Sequence, residues 1–258
     1  MKIIVLMKQV ANKDAVLRIA SDEKWINEAD VSHQTNESDG YALEEALRTR
    51  DANGEGEVIV CTLGPQSAKT VIKDALARGA NRAIHVVVDD SKHLSAYQIA
   101  KTIAEAIREE NADLIFTGLQ SDDTSFGQTG VIMAELLGIP HATIVIEVDR
   151  ESVGETLRVK RELESGWYQW FNYKLPALMT IQSGISQIRY ASLKGIMGAK
   201  SKEVREVTPA IEEFSSASKI EKVYMPLKTK QTQMLGNGDA KAGALELVEK
   251  LRNEVRAI

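Results

Sequence analysis

The chain has 258 residues, 43% of them hydrophobic, with a formal net charge of −5 and a pI of about 5.6. That suffices for one large core, or one domain with an appendage, and the acidic balance argues against a nucleic-acid partner. The single cysteine, Cys61 in VIVCTLG, reads as a small core residue of an intracellular protein.

The start, MKIIVLMKQV, places only Ile3 to Met7 between two lysines. That is too short for a signal-peptide core, and no run approaches the roughly eighteen apolar residues of a membrane span. The expected location is the cytoplasm, or the mitochondrial matrix if the source is eukaryotic. IIVLM (3–7), EVIVCTLG (57–64), RAIHVVV (82–88) and ADLIFTG (112–118) are short, β-branched, nearly continuous apolar runs, the pattern of strands buried on both faces of a parallel sheet. Helical spacing lies between them. Leu43, Ala46 and Leu47 share one face before a stop at Gly54, and Val71, Ala75 and Leu76 share another before Gly79. Ile99, Ile103 and Ile107 repeat the pattern, and VIMAELLG followed by HATIVIEV continues the alternation.

Near residue 150 the pattern breaks. TLRVKRELESGWYQWFNYKLPALMTI predicts two strands turning at Glu164-Ser165-Gly166, then a third strand. Five aromatics, Trp167, Tyr168, Trp170, Phe171 and Tyr173, fit hairpin packing or, alternatively, a partner surface. After Met197 about forty polar residues of little periodicity lead into DAKAGALELVEKLRNEVRAI, a helix with Leu245, Val248, Leu251 and Val255 on one stripe. Such a stretch is either a disordered tail or an arm laid across a partner; its apolar content favours the arm. The expected fold is α/β: a mostly parallel, doubly wound, Rossmann-like sheet over 1–200 with an antiparallel hairpin at its edge. A C-terminal arm over 201–258 ends in a helix.

Between a strand and a helix stands GLQSDDTSFGQTG, Gly118 to Gly130. It is either a solvated loop or a nucleotide pocket, because open parallel sheets bind ligands beyond the C-terminal ends of their strands. A helix starting near Thr129 would offer free N–H groups and the positive end of its dipole to a phosphate. Gly127 and Gly130 would admit an anion to the backbone, and Ser125, Gln128 and Thr129 would add neutral donors. Asp122 and Asp123 suit ribose hydroxyls or caps better than phosphate. Asn36, Ser38 and Asp39 precede another helix at the same edge; Asn36 or Asp39 most simply caps it. The join KQVANKDA (8–15) is a third loop there. GxxxxGK[ST], GxGxxG and GxSxG are all absent, and His33, His85, His93 and His141 show no metal spacing. No catalytic dyad is legible, which suits a nucleotide binder more than an enzyme.

Taken together, KIIVLMKQV, NESDGYALEEAL, LGP (63–65), GLQSDDTSFGQTG, VKRELESGWYQWFNYKLPALMTIQ and SGISQIRYASLKGIMGAKSK resemble the β subunit of electron transfer flavoprotein, in order over about 200 residues. The resemblance implies an adenine-nucleotide-binding fold and a heterodimer whose α subunit carries the redox-active FAD. The β subunit would hold AMP structurally and make no bonds itself. It further implies electrons collected from flavin-containing dehydrogenases and passed to a membrane quinone oxidoreductase. Carried over, the AMP site would comprise Leu6, Asn36, Glu37, Ser38, Asp39 and Leu63, together with Gly118, Leu119, Gln120, Ser121, Asp122, Asp123, Thr124, Ser125, Phe126, Gly127, Gln128 and Thr129. Ile185 would be an exposed anchor for the dehydrogenase. Asn36-Glu37-Ser38 departs from the Asn-Pro-aromatic of many members, and Lys13 stands where some place an aromatic near the flavin. Relatives that bifurcate electrons with a second FAD, oxidising NADH, usually read Gln-Val-Gly where this chain has Gln128-Thr129-Gly130, and the threonine resembles the AMP-binding carriers. A stand-alone adenine-nucleotide module is the third alternative, with no use for a partner-wrapping arm.

Overall fold

Continuous apolar runs become the central strands because both of their faces are covered by helices. The computed structural model describes residues 1–29, 31–210, 220–227 and 232–257. In chain order the strands and helices are β1 (Lys2–Leu6), β2 (Gln9–Ala11), β3 (His33–Thr35), α1 (Glu37–Ala52), β4 (Glu57–Gly64), α2 (Lys69–Arg78), β5 (Arg82–Val87), α3 (Ala96–Ile107), β6 (Leu114–Gly118) and α4 (Thr129–Leu137). They continue with β7 (His141–Asp149), β8 (Thr156–Glu162), β9 (Tyr168–Lys174), β10 (Ala177–Ile181), α5 (Leu193–Ala199), β11 (Val204–Val207) and α6 (Ala240–Lys250).

Nine strands form one sheet in the order β11-β5-β4-β1-β6-β10-β7-β8-β9. All neighbours are parallel except β7–β8 and β8–β9. One face buries Ile3, Val5, Val58 and Val60 against Leu43 and Leu47 of α1 and Val71 and Leu76 of α2. The other buries Ile4, Ile59, Ile84 and Ile115 against Ile103 and Ile107 of α3 and Met133 of α4. The doubly wound sheet is therefore as the sequence predicts. Two features are not legible there. The β1–α1 join contains a small antiparallel ribbon, β2 with β3. The sheet also runs past residue 200, because β11 pairs with β5 from Val204 to Val207.

Charge closes the N-terminal edge of the sheet. Glu110, after α3, accepts from Arg82 Nη2 at 2.6 Å, Arg205 Nη2 at 3.1 Å and Lys2 Nζ at 3.5 Å. One carboxylate thus ties together the starts of β1, β5 and β11. The Arg82 guanidinium beside it holds the Glu110 carboxyl down at about 2.

The aromatic run belongs to the β8–β9 hairpin. Lys160 Nζ lies 4.0 Å from the Tyr168 ring centroid and Arg158 lies 4.7 Å from that of Trp170. On the opposite face Arg161 stacks on Phe171 at 5.8 Å. Cross-strand cation–aromatic pairs therefore hold this edge together.

Candidate functional site at the strand exits

β1 and β6 are neighbours, yet their exits diverge: the chain leaving β1 reaches α1 on one face, and that leaving β6 reaches α4 on the other. Such a switch point opens a crevice at the C-terminal edge. Asp39 sits in it. Its carboxylate accepts the Lys8 N–H at 2.7 Å and the Gly118 N–H at 3.0 Å, joining the exits of both strands to the first turn of α1. The residue is only 6% exposed. Burial pushes the carboxyl up to about 7, against hydrogen bonds from the Lys8 N–H, the Asn36 side chain and the Gly118 N–H and against the Lys8 charge.

The 118–130 loop is stitched to α1 by side chains. Asn36 Nδ2 donates to the Gln120 carbonyl at 2.9 Å, and Ser38 Oγ donates to the same oxygen at 2.8 Å. Asn36 Oδ1 accepts the Asp122 N–H at 2.9 Å, and Asp122 Oδ2 accepts the Glu37 N–H at 3.2 Å. This corrects the simplest expectation for Asn36 and Asp39. Neither caps α1 with its own side chain; Asp122, from the facing loop, takes the first-turn N–H. Asp123 pairs with Lys8 Nζ at 2.7 Å. Burial would raise this carboxyl, but the Lys8 charge and hydrogen bond, with those from Ser121 and the Thr124 N–H, together outweigh it and hold Asp123 below the usual range. Ser121 Oγ lies 2.9 Å from Thr124 Oγ1, and its carbonyl accepts the Ser125 hydroxyl at 3.0 Å.

Most of the polar side chains singled out in the sequence thus build the loop. Within the 118–130 loop, the polar side chains without a hydrogen bond among the described residues are Gln120, Gln128 and Thr129, and the Phe126 ring beside them is 56% exposed. Beyond Gly127, which turns the chain at φ 62°, α4 begins with no side-chain cap, so its first N–H groups face the loop. Gly130 packs flush on the sheet: a Cβ there would meet Thr180 Cγ2 at 2.8 Å and Thr117 Oγ1 at 2.9 Å. Buried Leu6 and half-buried Leu63 add apolar surface from the ends of β1 and β4. An uncapped helix start, a left-handed glycine, free amides and an apolar floor fit one phosphate and a nucleoside. Among the described residues no cluster of three His, Cys, Asp or Glu suits a metal ion, and no helix is long and apolar enough to cross a membrane.

Lys8 opens the KQVANKDA join, and its N–H and ammonium serve two different carboxylates, a role the sequence does not show. The signal for the residue was its position as the first charge after β1. Ile185 is less exposed than the sequence reading expects. It is half-buried and packs on the main core, whereas Tyr190, Leu193 and Met197 just beyond it are 94%, 83% and 76% exposed. This segment hangs on α1 through Arg189, which meets Glu44 at 2.9 Å and Asp51 at 3.1 Å.

The family model described as "Electron transfer flavoprotein domain" matches residues 24–212. Among individual proteins, the chain is 33% identical over 245 residues to the electron transfer flavoprotein subunit beta of Methylophilus methylotrophus, covering 92% of this chain and 93% of that one. It is 35% identical over 260 residues to the mitochondrial subunit beta of Arabidopsis thaliana, covering all of both chains. It is 33% identical over 211 residues to the human subunit beta, covering 81% and 82%. With the family model matched over 24–212 and relatives at 33–35% identity aligned over nearly all of both chains, the chain belongs to the electron transfer flavoprotein β-subunit family and has that family's role in electron transport.

Proposed function

We propose that this chain is the β half of a heterodimeric electron carrier and that it holds one AMP at the exits of β1, β4 and β6. The observation that carries the reading is the uncapped start of α4 beside Gly127, facing a loop already locked onto α1. The N–H groups of that first turn would take the phosphate, and Gln128 and Thr129 would add donors. Leu6 and Leu63 would face the base, with the rest of 36–39 and 118–127 holding the frame. The redox-active FAD belongs, on this reading, to the α subunit. Electrons would come from flavin-containing dehydrogenases and go on to a membrane quinone oxidoreductase.

Two surfaces support assembly. Leu245, Leu247, Val248 and Val255, on α6 and the turn after it, are 41–64% exposed, an apolar stripe in want of a cover. The 201–258 region, apart from β11, is the arm that would lie on the α subunit. For the dehydrogenase, the exposed Tyr190, Leu193 and Met197 offer more apolar surface than Ile185, which is half-buried against its own core.

The test is to co-express the chain with its α subunit, denature the purified complex and quantify the released nucleotides. One FAD and one AMP per heterodimer are expected. Two FAD and no AMP would overturn the carrier reading in favour of a bifurcating complex.

A further inference from the structure

The join between β2 and β3 makes a long excursion whose middle folds back on itself. Ile19 pairs with Ile26, the Ala20 N–H donates to Trp25 O at 2.8 Å, and the Asn27 N–H donates to Arg18 O at 2.7 Å. Glu23 turns the tip in the left-handed region at φ 55°. The base is fastened too: Trp25 Nε1 donates to Glu28 at 3.1 Å, and Glu28 meets Lys92 at 3.7 Å, from the join between β5 and α3. A charged tip such as Asp22-Glu23-Lys24 ordinarily faces only water. Here it meets a segment some two hundred residues away in the chain.

That segment lies in the C-terminal extension, where residues 220–227 run past the tip. The Val223 N–H donates to Glu23 O at 2.8 Å, a single rung of backbone pairing. Two lysines cross between the segments beside this rung. Lys222 reaches the Glu23 carboxylate at 2.7 Å, and Lys24 donates its ammonium to the Glu221 carbonyl. Each segment therefore supplies a lysine to an oxygen of the other. The backbone rung gives direction, because it fixes which edge of residue 223 faces the domain. Immediately beyond it the apolar side chains turn away from the domain: Tyr224, Met225 and Leu227 are 68%, 72% and 89% exposed.

We propose that the 18–27 turn is a latch that holds residues 220–227 of the C-terminal extension on its own domain and aims their apolar side chains at the partner subunit. The partner half of this statement rests on the heterodimer reading above; the latch half does not. Ordering residues 220–227 in advance removes part of the entropy cost of docking the extension. An exposed ion pair adds little by itself, so the backbone rung and the paired lysines act together.

The full chain, alone and with the α subunit, tests this through hydrogen exchange of the 221–225 segment and through subunit affinity. Three variants suffice: Val223→Pro, which deletes the donor; Lys222→Glu, which sets like charges together; and Glu23→Lys combined with Lys222→Glu, which restores the pair. In the chain alone, 221–225 should exchange more slowly than a free peptide of the same sequence. Val223→Pro and Lys222→Glu should each speed exchange at the neighbouring amides several-fold, and the double swap should return it. Each single variant should weaken the heterodimer several-fold with unchanged melting of the nucleotide-binding domain. Free-peptide exchange in the unaltered chain overturns the latch, whatever the partner does. Exchange that responds to the variants while subunit affinity does not overturns its aiming role. An unaltered chain that binds no α subunit at all instead marks a failure of the heterodimer reading, with the exchange result still deciding the latch.

Discussion

Asp39 and Gly118 determine each other. The Gly118 N–H donates to Asp39 Oδ1 at 3.0 Å, and the space that a Cβ at position 118 would need is taken by that same oxygen and by Ser38 Oγ. The backbone N of Asp39 would also stand only 2.8 Å from that Cβ. Close approach of α1 to the end of β6 is what allows one buried carboxylate to join two strand exits, and it is possible only with glycine.

Gly118→Ala should therefore act as an overpacked core substitution, costing about 1–3 kcal/mol as the start of α1 is pushed off the sheet. Urea unfolding measures the cost, and the released-nucleotide assay should show AMP lost in step. A variant of full stability that keeps its AMP would mean that α1 yields more easily than the contacts indicate.

The pH dependence of stability has two limbs. The Asp39 carboxyl is raised from 3.8 to about 7, so between those values the folded chain binds more protons than the unfolded one. Stability from this group is thus fully present below about 4 and is lost as pH rises through 7, by at most about 4 kcal/mol. Glu110 works in the opposite sense. Its carboxyl is lowered from 4.5 to about 2, so its contribution is present above 4.5 and is lost as pH falls toward 2. Denaturation midpoints should peak in mildly acidic buffer. Glu110→Gln should flatten the acid limb, and a neutral residue at position 39 should flatten the other. A curve still rising from pH 5 to pH 8 would contradict the assignment for Asp39.

Two neighbouring apolar residues should separate packing from docking. Ile185→Ala removes side-chain contacts with the core and should lower stability by about 1–2 kcal/mol. Leu193, 83% exposed, should leave melting unchanged when replaced by Ala and slow electron transfer from the dehydrogenase. Stopped-flow reduction of the assembled carrier reads the second effect; the reverse assignment of effects would restore Ile185 as the anchor.

Ending the chain before Gly236 removes α6 with its exposed stripe. Heterodimer affinity should fall while the sheet domain keeps its melting temperature. Unchanged affinity on titration with α subunit would show that the helix lies elsewhere than on the partner.

The local pattern was enough for the central sheet. β-branched runs such as EVIVCTLG can be hidden only between two helical layers, and the stripes of Leu43–Leu47 and Val71–Leu76 supply one of those layers. The 118–130 loop was legible for a similar reason: glycines and small polar residues between a buried strand and a helix are wasted unless the backbone there must bend or be approached. What each of its side chains does was not legible. Asn36 and Asp39 look like caps, because capping is the commonest local use of such residues, and only the folded chain shows Asp122 taking that place from 85 residues away. The partner of Lys8, and the strand β11 and the turn around Glu23, were not legible for the same cause, since their partners at Asp123, Ala83–Val86 and Val223 are distant in sequence. Hydrophobic periodicity is a short-range signal, set by which face of a helix or strand meets the core. The pairing of a buried polar group is a long-range one, and it is decided only when packing brings its partner within hydrogen-bonding distance.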